Sequence, residues 1–264
     1  MNKISNNVFY KILDYMIELV KENKKIFVEL NRKDNQIHKF DFDINKLIEI
    51  IKSYKTKEIK NSDNKLVCVN HYGNPYLTIT LILETLLNNK NLILIVDNIC
   101  YGINKGIEKI VNNSLKYYKV DLQVVLRNNI NNEIKDLEAN KIVCLGNYNS
   151  YDYFRKQKKF DVEYIPFFDL NLYYDCEEYE ELAEIIRKYA FKNFYEIEVF
   201  DGNEEFDDVI FMIENSAPKY CSVILSKDEL KQKRFKQEIG SQIICVNENP
   251  FKKFKLEIPK EIIC

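Results

Sequence analysis

With 264 residues, 46% of them hydrophobic and 30% charged, the chain is long and apolar enough for one large or two small globular domains and lies far from disorder. Its 39 lysines and arginines against 41 aspartates and glutamates exclude an electrostatic footprint for nucleic acid or an anionic membrane. Two histidines exclude a histidine-rich metal centre, and seven cysteines with no C-x-x-C spacing argue for reduced thiols, as in a cytoplasm.

The N-terminal stretch carries acidic residues and no continuous apolar run, so no secretory signal is expected. Residues 6–22 place Val8, Phe9, Ile12, Leu13, Met16, Ile17 and Val20 at helical spacing and predict an amphipathic helix. KKIFVEL and QIHKFDF then read as two strands joined by the polar turn NRKDN. Residues 44–54 predict a second helix.

From residue 65 onward short apolar runs alternate with helical patterns. Strands are expected at 66–70, 92–96, 122–126, 142–145 and 162–165, and further ones at 170–174, 195–200, 220–225 and 242–246. Helical patterns between them include PYLTITLILETLLNN, INKGIEKIVNNSLKYY, NEIKDLEA, YDYFRKQ, 178–191 and 205–213. Such alternation predicts βαβ units with right-handed crossovers, hence an α/β fold with a doubly wound, mainly parallel, Rossmann-like sheet and helices on both faces. The expected division is 1–60 as a helix and hairpin region, 61–200 as the Rossmann-like domain, and 201–264 as a segment completing the sheet or forming an assembly arm. No apolar run approaches the ~20 residues of a membrane span.

Gly-x-Gly-x-x-Gly, Walker and Gly-x-Ser-x-Gly motifs are absent, and only six glycines are available to any phosphate-cradling loop. The run 175–181 reads as an acidic first helical turn, favourable to the helix dipole. The pairs Tyr117–Tyr118 and Tyr173–Tyr174 read as packed aromatics, since no basic groove adjoins them.

Several segments, in order, carry a family resemblance. In VNHYGNPYLTITLILETLLNNKN, Asn74 and Pro75 suit the cap and first position of a helix after a strand. KNLILIVDN, KIVCLGNYNSYDYFRK and DVEYIPFFDLNLYYD follow, and late in the chain stand Asn215, Ser226, Asp228, Val246 and Asn247. Together these resemble the aldehyde dehydrogenase superfamily over roughly residues 66–251, with some likeness to its glutamyl-phosphate reductase branch. The resemblance implies an NAD(P)-dependent oxidoreductase fold. It makes Asn74 the oxyanion donor, with a plain helix cap as the alternative. It puts Glu163 at the general-base position, with an ordinary strand residue as the alternative. It assigns Asn91, Asp97, Gly146 and Asn147 to the cofactor positions, although Val96 and Asp97 stand where the family has Lys-Pro. No cofactor is implied firmly; NAD or NADP is the possible one, and no metal is expected.

The family's catalytic cysteine would fall in residues 193–198, and these are Asn193, Phe194, Tyr195, Glu196, Ile197 and Glu198. A thiolate nucleophile is therefore missing. The family's long catalytic region also shrinks to a joint near 201–205. The implied function is an aldehyde dehydrogenase-like protein without its catalytic cysteine and most of its catalytic domain, acting as a binding or assembly protein. The alternatives are an aldehyde or acyl reductase with a non-standard site or a partner's catalytic domain, and a nucleotide- or acyl-binding module. Loss of the cover would bare the apolar runs of Ile224, Leu225, Ile243, Ile244 and Val246, so a homo-oligomer or a partner chain is expected, in the cytoplasm.

Overall fold

The computed structural model describes residues 4–34, 42–60, 66–96, 100–128, 139, 141–146, 148–157, 159–166, 169–192, 197–216 and 219–252. The chain divides into two compact units: Met1–Cys144 with Asn149–Glu163 and Leu256–Cys264, and Leu145–Tyr148 with Tyr164–Lys255.

Among the described residues five strands, β1 (Leu66–His71), β2 (Asn91–Val96), β3 (Val124–Asn128), β4 (Lys141–Leu145) and β5 (Asp161–Ile165), form one sheet in the order β3-β2-β1-β4-β5, most of it in the first unit. β1 pairs in parallel with β2 and β4, and β2 with β3. This is the expected doubly wound arrangement beginning at Leu66. The crossover α4 (Pro75–Leu87) is apolar all round, and twelve of its thirteen residues are buried, as befits a helix lodged inside the core. α5 (Tyr101–Tyr117) joins β2 to β3, and α6 (Tyr148–Lys156) joins β4 to β5.

Three N-terminal helices, α1 (Asn6–Glu22), α2 (Lys24–Asp34) and α3 (Ile44–Ser53), pack on α4 and α5. α1 buries Phe9, Ile12, Leu13, Met16, Ile17 and Val20, the stripe its spacing predicts. The expected strand KKIFVEL is instead part of helix α2. Ile26 and Val28 are exposed, and Phe27 alone is buried. Its face follows helical spacing: Phe27, Leu30 and Asp34 all meet the glycines of α5, where Cβ atoms added at Gly106 and Gly102 would lie 3.2 Å from Phe27 and 3.1 Å from Asp34. Asp34 also accepts a hydrogen bond from the Ile103 N–H at 3.0 Å. That bond satisfies a donor in the first turn of α5, whose own N-cap, Cys100, makes no side-chain cap. Of the second expected strand, QIHKFDF, residues 36–41 lie outside the described residues, as does most of NEIKDLEA.

The second unit holds its own sheet rather than an extension of the first. β6 (Leu170–Tyr174), β7 (Ile197–Asp201), β8 (Cys221–Leu225) and β9 (Ile243–Val246) are all parallel, in the order β7-β6-β8-β9. α7 (Glu180–Lys192), α8 (Phe206–Asn215) and α9 (Glu229–Glu238) connect them. Side-chain alternation builds two cores. Leu170, Leu172, Val223 and Leu225 pack with Ala183 and Ile186 of α7, while Tyr173, Phe200 and Ile224 pack with Val209, Ile210 and Phe235 of α8 and α9. The apolar runs expected to lie bare are thus covered within the unit. Ile224 and Leu225 are fully buried, one on each face, and Ile243, Ile244 and Val246 of the edge strand are partly buried. The helices that cover them are α7 and α8, expected at 178–191 and 205–213, and α9, which the structure adds, so these strands are covered locally.

Candidate functional site

Parallel α/β sheets present their ligand crevice outside the carboxyl ends of the strands. In the first unit that end of β1 carries Asn70 and His71, followed by the turn Tyr72–Gly73 and the start of α4. Gly73 has φ 100°, a conformation open to glycine at no steric cost. The turn is held from within. The Gly73 N–H donates to His71 Nδ1 at 3.0 Å, and Asn104 of α5 donates its Nδ2–H to the Gly73 carbonyl at 2.6 Å. Because Nδ1 accepts, the His71 proton resides on Nε2, which faces Thr78 Oγ1 at 3.2 Å. Burial lowers the His71 pKa to about 3, so the imidazole is neutral at physiological pH.

Asn74 caps α4: its Oδ1 accepts from the N–H groups of Tyr76 at 2.9 Å and Leu77 at 3.3 Å. Asn70 donates to the Ile95 carbonyl at 3.1 Å, tying β1 to β2. Asn70, His71, Asn74, Thr78 and Asn104 are all buried, and two buried acceptors, Asn70 Oδ1 and Asn104 Oδ1, have no hydrogen-bond partner among the described residues. The result is an uncharged, buried hydrogen-bonding cluster at the strand end. It orients amides and holds a turn; with the only imidazole depressed to about 3, it contains no group that exchanges a proton near neutrality. Replacing Asn74 by alanine removes the cap and is expected to cost about 1 kcal/mol in a denaturant titration. A cost near zero would mean that the amide is not serving as the cap.

The other residues picked from the sequence do not gather at this cluster. Asn91 begins β2 opposite Leu66, at the amino end of the strand, and its Oδ1 accepts from the Gln123 N–H at 2.8 Å. Glu163 lies in the edge strand β5 and forms a half-exposed ion pair with Lys141, worth little in water. Gly146 follows β4 with φ 61°, and its N–H donates to the Ile165 carbonyl at 2.9 Å, a turn that needs its freedom. Asp97 and Asn147 lie outside the described residues. His71, Asn70 and Asn104 escaped the sequence reading. The usable signal was the polar pair Asn-His closing an apolar strand just before a helix cap; nothing local marks Asn104, whose role depends on α5 lying across the turn.

Among the described cysteines Cys68, Cys100, Cys144, Cys221 and Cys245 are buried and Cys176 is partly buried. Burial pushes the thiols of Cys68 and Cys144 up to about 12 and raises that of Cys100 as well. These thiols are protonated at neutral pH and shielded from any electrophile. Among the described residues no group of three or more His, Cys, Asp or Glu side chains is placed to hold a metal ion, and no helix is long and apolar enough to cross a membrane.

No protein-family model matches this chain, and no curated protein does. Solved structures do. The chain is similar to gamma-glutamyl phosphate reductase of Thermotoga maritima at 12% identity and TM-score 0.54, over 93% of this chain and 84% of that one. It is similar to glyceraldehyde-3-phosphate dehydrogenase of Methanocaldococcus jannaschii, solved with NADP, at 11% identity and TM-score 0.57, over 96% and 82%. Against AldH of Staphylococcus aureus in a substrate-bound state the values are 10% and 0.59, over 94% and 81%. At these identities the likeness is one of fold: the chain has the aldehyde dehydrogenase-like, Rossmann-type architecture.

Proposed function

We propose that this aldehyde dehydrogenase-like fold serves as a catalytically silent binding or assembly protein. The observation that carries the reading is the stretch 193–198, which holds no cysteine where the resembled family has its nucleophile. The burial of the Cys68, Cys100 and Cys144 thiols supports it, because no other thiolate is supplied from these positions. In this reading the chain works in the cytoplasm and binds its own copies or a partner chain through a surface other than β8 and β9, whose apolar side chains the second unit's own helices cover. Light scattering on the purified chain, together with recovery of bound chains from its native cell, tests the assembly. A mass above the monomer or a stoichiometric partner is expected; a monomer without a partner at tens of micromolar contradicts it.

A second reading, a retained dinucleotide module, draws on the NADP bound to one structural neighbour. Against it stands Asn91, whose side chain is engaged at the amino end of β2, away from the strand ends where a parallel sheet takes ligands. The expected result is weak or absent binding. Occupancy at 100 times Kd would add about 2.7 kcal/mol of stability, so tight binding of NAD or NADP would register clearly in a thermal-shift scan.

A further inference from the structure

The second unit carries a cluster that the first unit's site does not involve. In the order β7-β6-β8-β9, the chain grows one way from β6 to β7 and the other way from β8 to β9. The reversal lies between β6 and β8, and the crevice outside the carboxyl ends of strands at such a reversal is where open α/β sheets take their ligands. Asp175 directly follows β6 and Ser226 directly follows β8. Their side chains meet: Asp175 Oδ2 accepts from Ser226 Oγ at 2.9 Å, from Lys231 Nζ of α9 at 2.8 Å and from the Tyr173 hydroxyl at 3.3 Å. Lys231 also donates to the Tyr173 hydroxyl at 3.1 Å.

The surroundings fix this cluster in place. Asn247, after β9, clamps the Ser226 backbone, accepting from its N–H at 2.9 Å and donating to its carbonyl at 3.0 Å. Gln232 donates to the same carbonyl at 2.7 Å. Gly202 backs Asp175 so closely that a Cβ there would stand 2.9 Å from the Asp175 Cα. The Lys231 ammonium lies 5.5 Å from the centre of the Phe206 ring and 5.6 Å from that of Tyr173.

What remains open is specific. All three donors converge on one Asp175 oxygen, so Oδ1 accepts nothing among the described residues. Lys231 has three N–H bonds and spends two. The Lys231 and Asp175 side chains are 31% and 12% exposed, so the pair is reached by solvent rather than sealed in the core. A structural ion pair needs only its two partners. Here serine, tyrosine and lysine from three elements orient one carboxylate and leave its second oxygen beside an unspent ammonium hydrogen.

We propose that this strand-end cluster binds a small acid bearing a neighbouring hydroxyl, its anionic group on Lys231 and its hydroxyl donating to Asp175 Oδ1. Binding is read in the unaltered protein by calorimetric titration, with alkylation of the neighbouring, partly exposed Cys176 as a second readout. The probes are glycerate and glycerol 3-phosphate, with acetate and inorganic phosphate as anions lacking the hydroxyl. At about ten times a Kd of ~1 mM, either hydroxyl-bearing probe is expected to slow alkylation of Cys176 by iodoacetamide about tenfold, read at that peptide by mass spectrometry. Protection by acetate and phosphate should be weaker. Lys231→Met should abolish the protection and Lys231→Arg keep part of it, while Asp175→Ala should erase the preference for hydroxyl-bearing probes. Absence of binding heat from both hydroxyl-bearing probes in the unaltered protein overturns the proposal without reference to any variant. Equal protection by acetate, or protection unchanged in Lys231→Met, overturns it too.

Discussion

Truncating Phe27 to alanine is expected to lower the unfolding free energy of the first unit by about 3–5 kcal/mol. Phe27 is 1% exposed and is the only residue of α2 that is fully buried, so it supplies the largest part of a contact that Leu30 and Asp34 extend. The ring lies against Gly106, in a groove that exists because glycine adds no Cβ, and it stacks on Phe42 at 5.6 Å between centroids. Alanine would leave a void that the rigid backbone of α5 cannot close, and a cavity adds its own cost to the lost transfer energy. The Asp34 bond to the first turn of α5 would loosen with the helix. Ile26→Ala on the exposed side of α2 is the control, expected within about 0.5 kcal/mol of the parent. Equal effects at the two positions would contradict a helix with this face inward.

The second large effect is on acid stability. The His71 pKa is about 3 in the folded chain because burial penalises the imidazolium, whereas an unfolded histidine titrates near 6.5. Between those values the unfolded chain holds the proton more readily than the folded one. The contribution of His71 is therefore fully present above pH ~6.5 and is lost as the pH falls towards 3, by about 3 kcal/mol at pH 4. His71→Asn keeps an acceptor for the Gly73 N–H but cannot titrate. Its absolute stability at pH 7 will fall, since the Thr78 contact is disturbed. The decisive quantity is the change between pH 7 and pH 4, which should be smaller in the variant by about that 3 kcal/mol. Parallel pH profiles would show the histidine to be solvated.

How much of this was legible beforehand depended on whether a residue's role is local. β6 and α1 match their sequence limits because each repeats one period cleanly between polar boundaries. Asn74 was readable as a cap, since capping involves only the next three residues. KKIFVEL was misread because three consecutive apolar residues suit a strand as well as a helix. The choice is made by Gly102 and Gly106, some 70 residues on, which no local pattern includes. The split into two sheets was equally hidden. Strand runs announce their existence, but their partners follow from which apolar faces helices cover, and α7, α8 and α9 enclose β6–β9 completely enough to close a second core. The Asn70–His71–Asn104 cluster and the Asp175–Lys231 cluster depend on the same long-range pairing. In each, a polar residue at a strand end gains meaning only from the helix laid beside it.

An aldehyde dehydrogenase-like fold without a cysteine at the resembled family's nucleophile position should perform none of that family's thiol chemistry. The purified chain should be incubated with a panel of aldehydes, acyl-CoA thioesters and acyl phosphates, each with NAD or NADP in the appropriate redox state, while the absorbance of the reduced nicotinamide is followed. The predicted result is no turnover above the enzyme-free rate with any pair. Turnover that survives repurification of the chain to constant specific activity would contradict the account, because no cysteine in residues 193–198 is available to carry it.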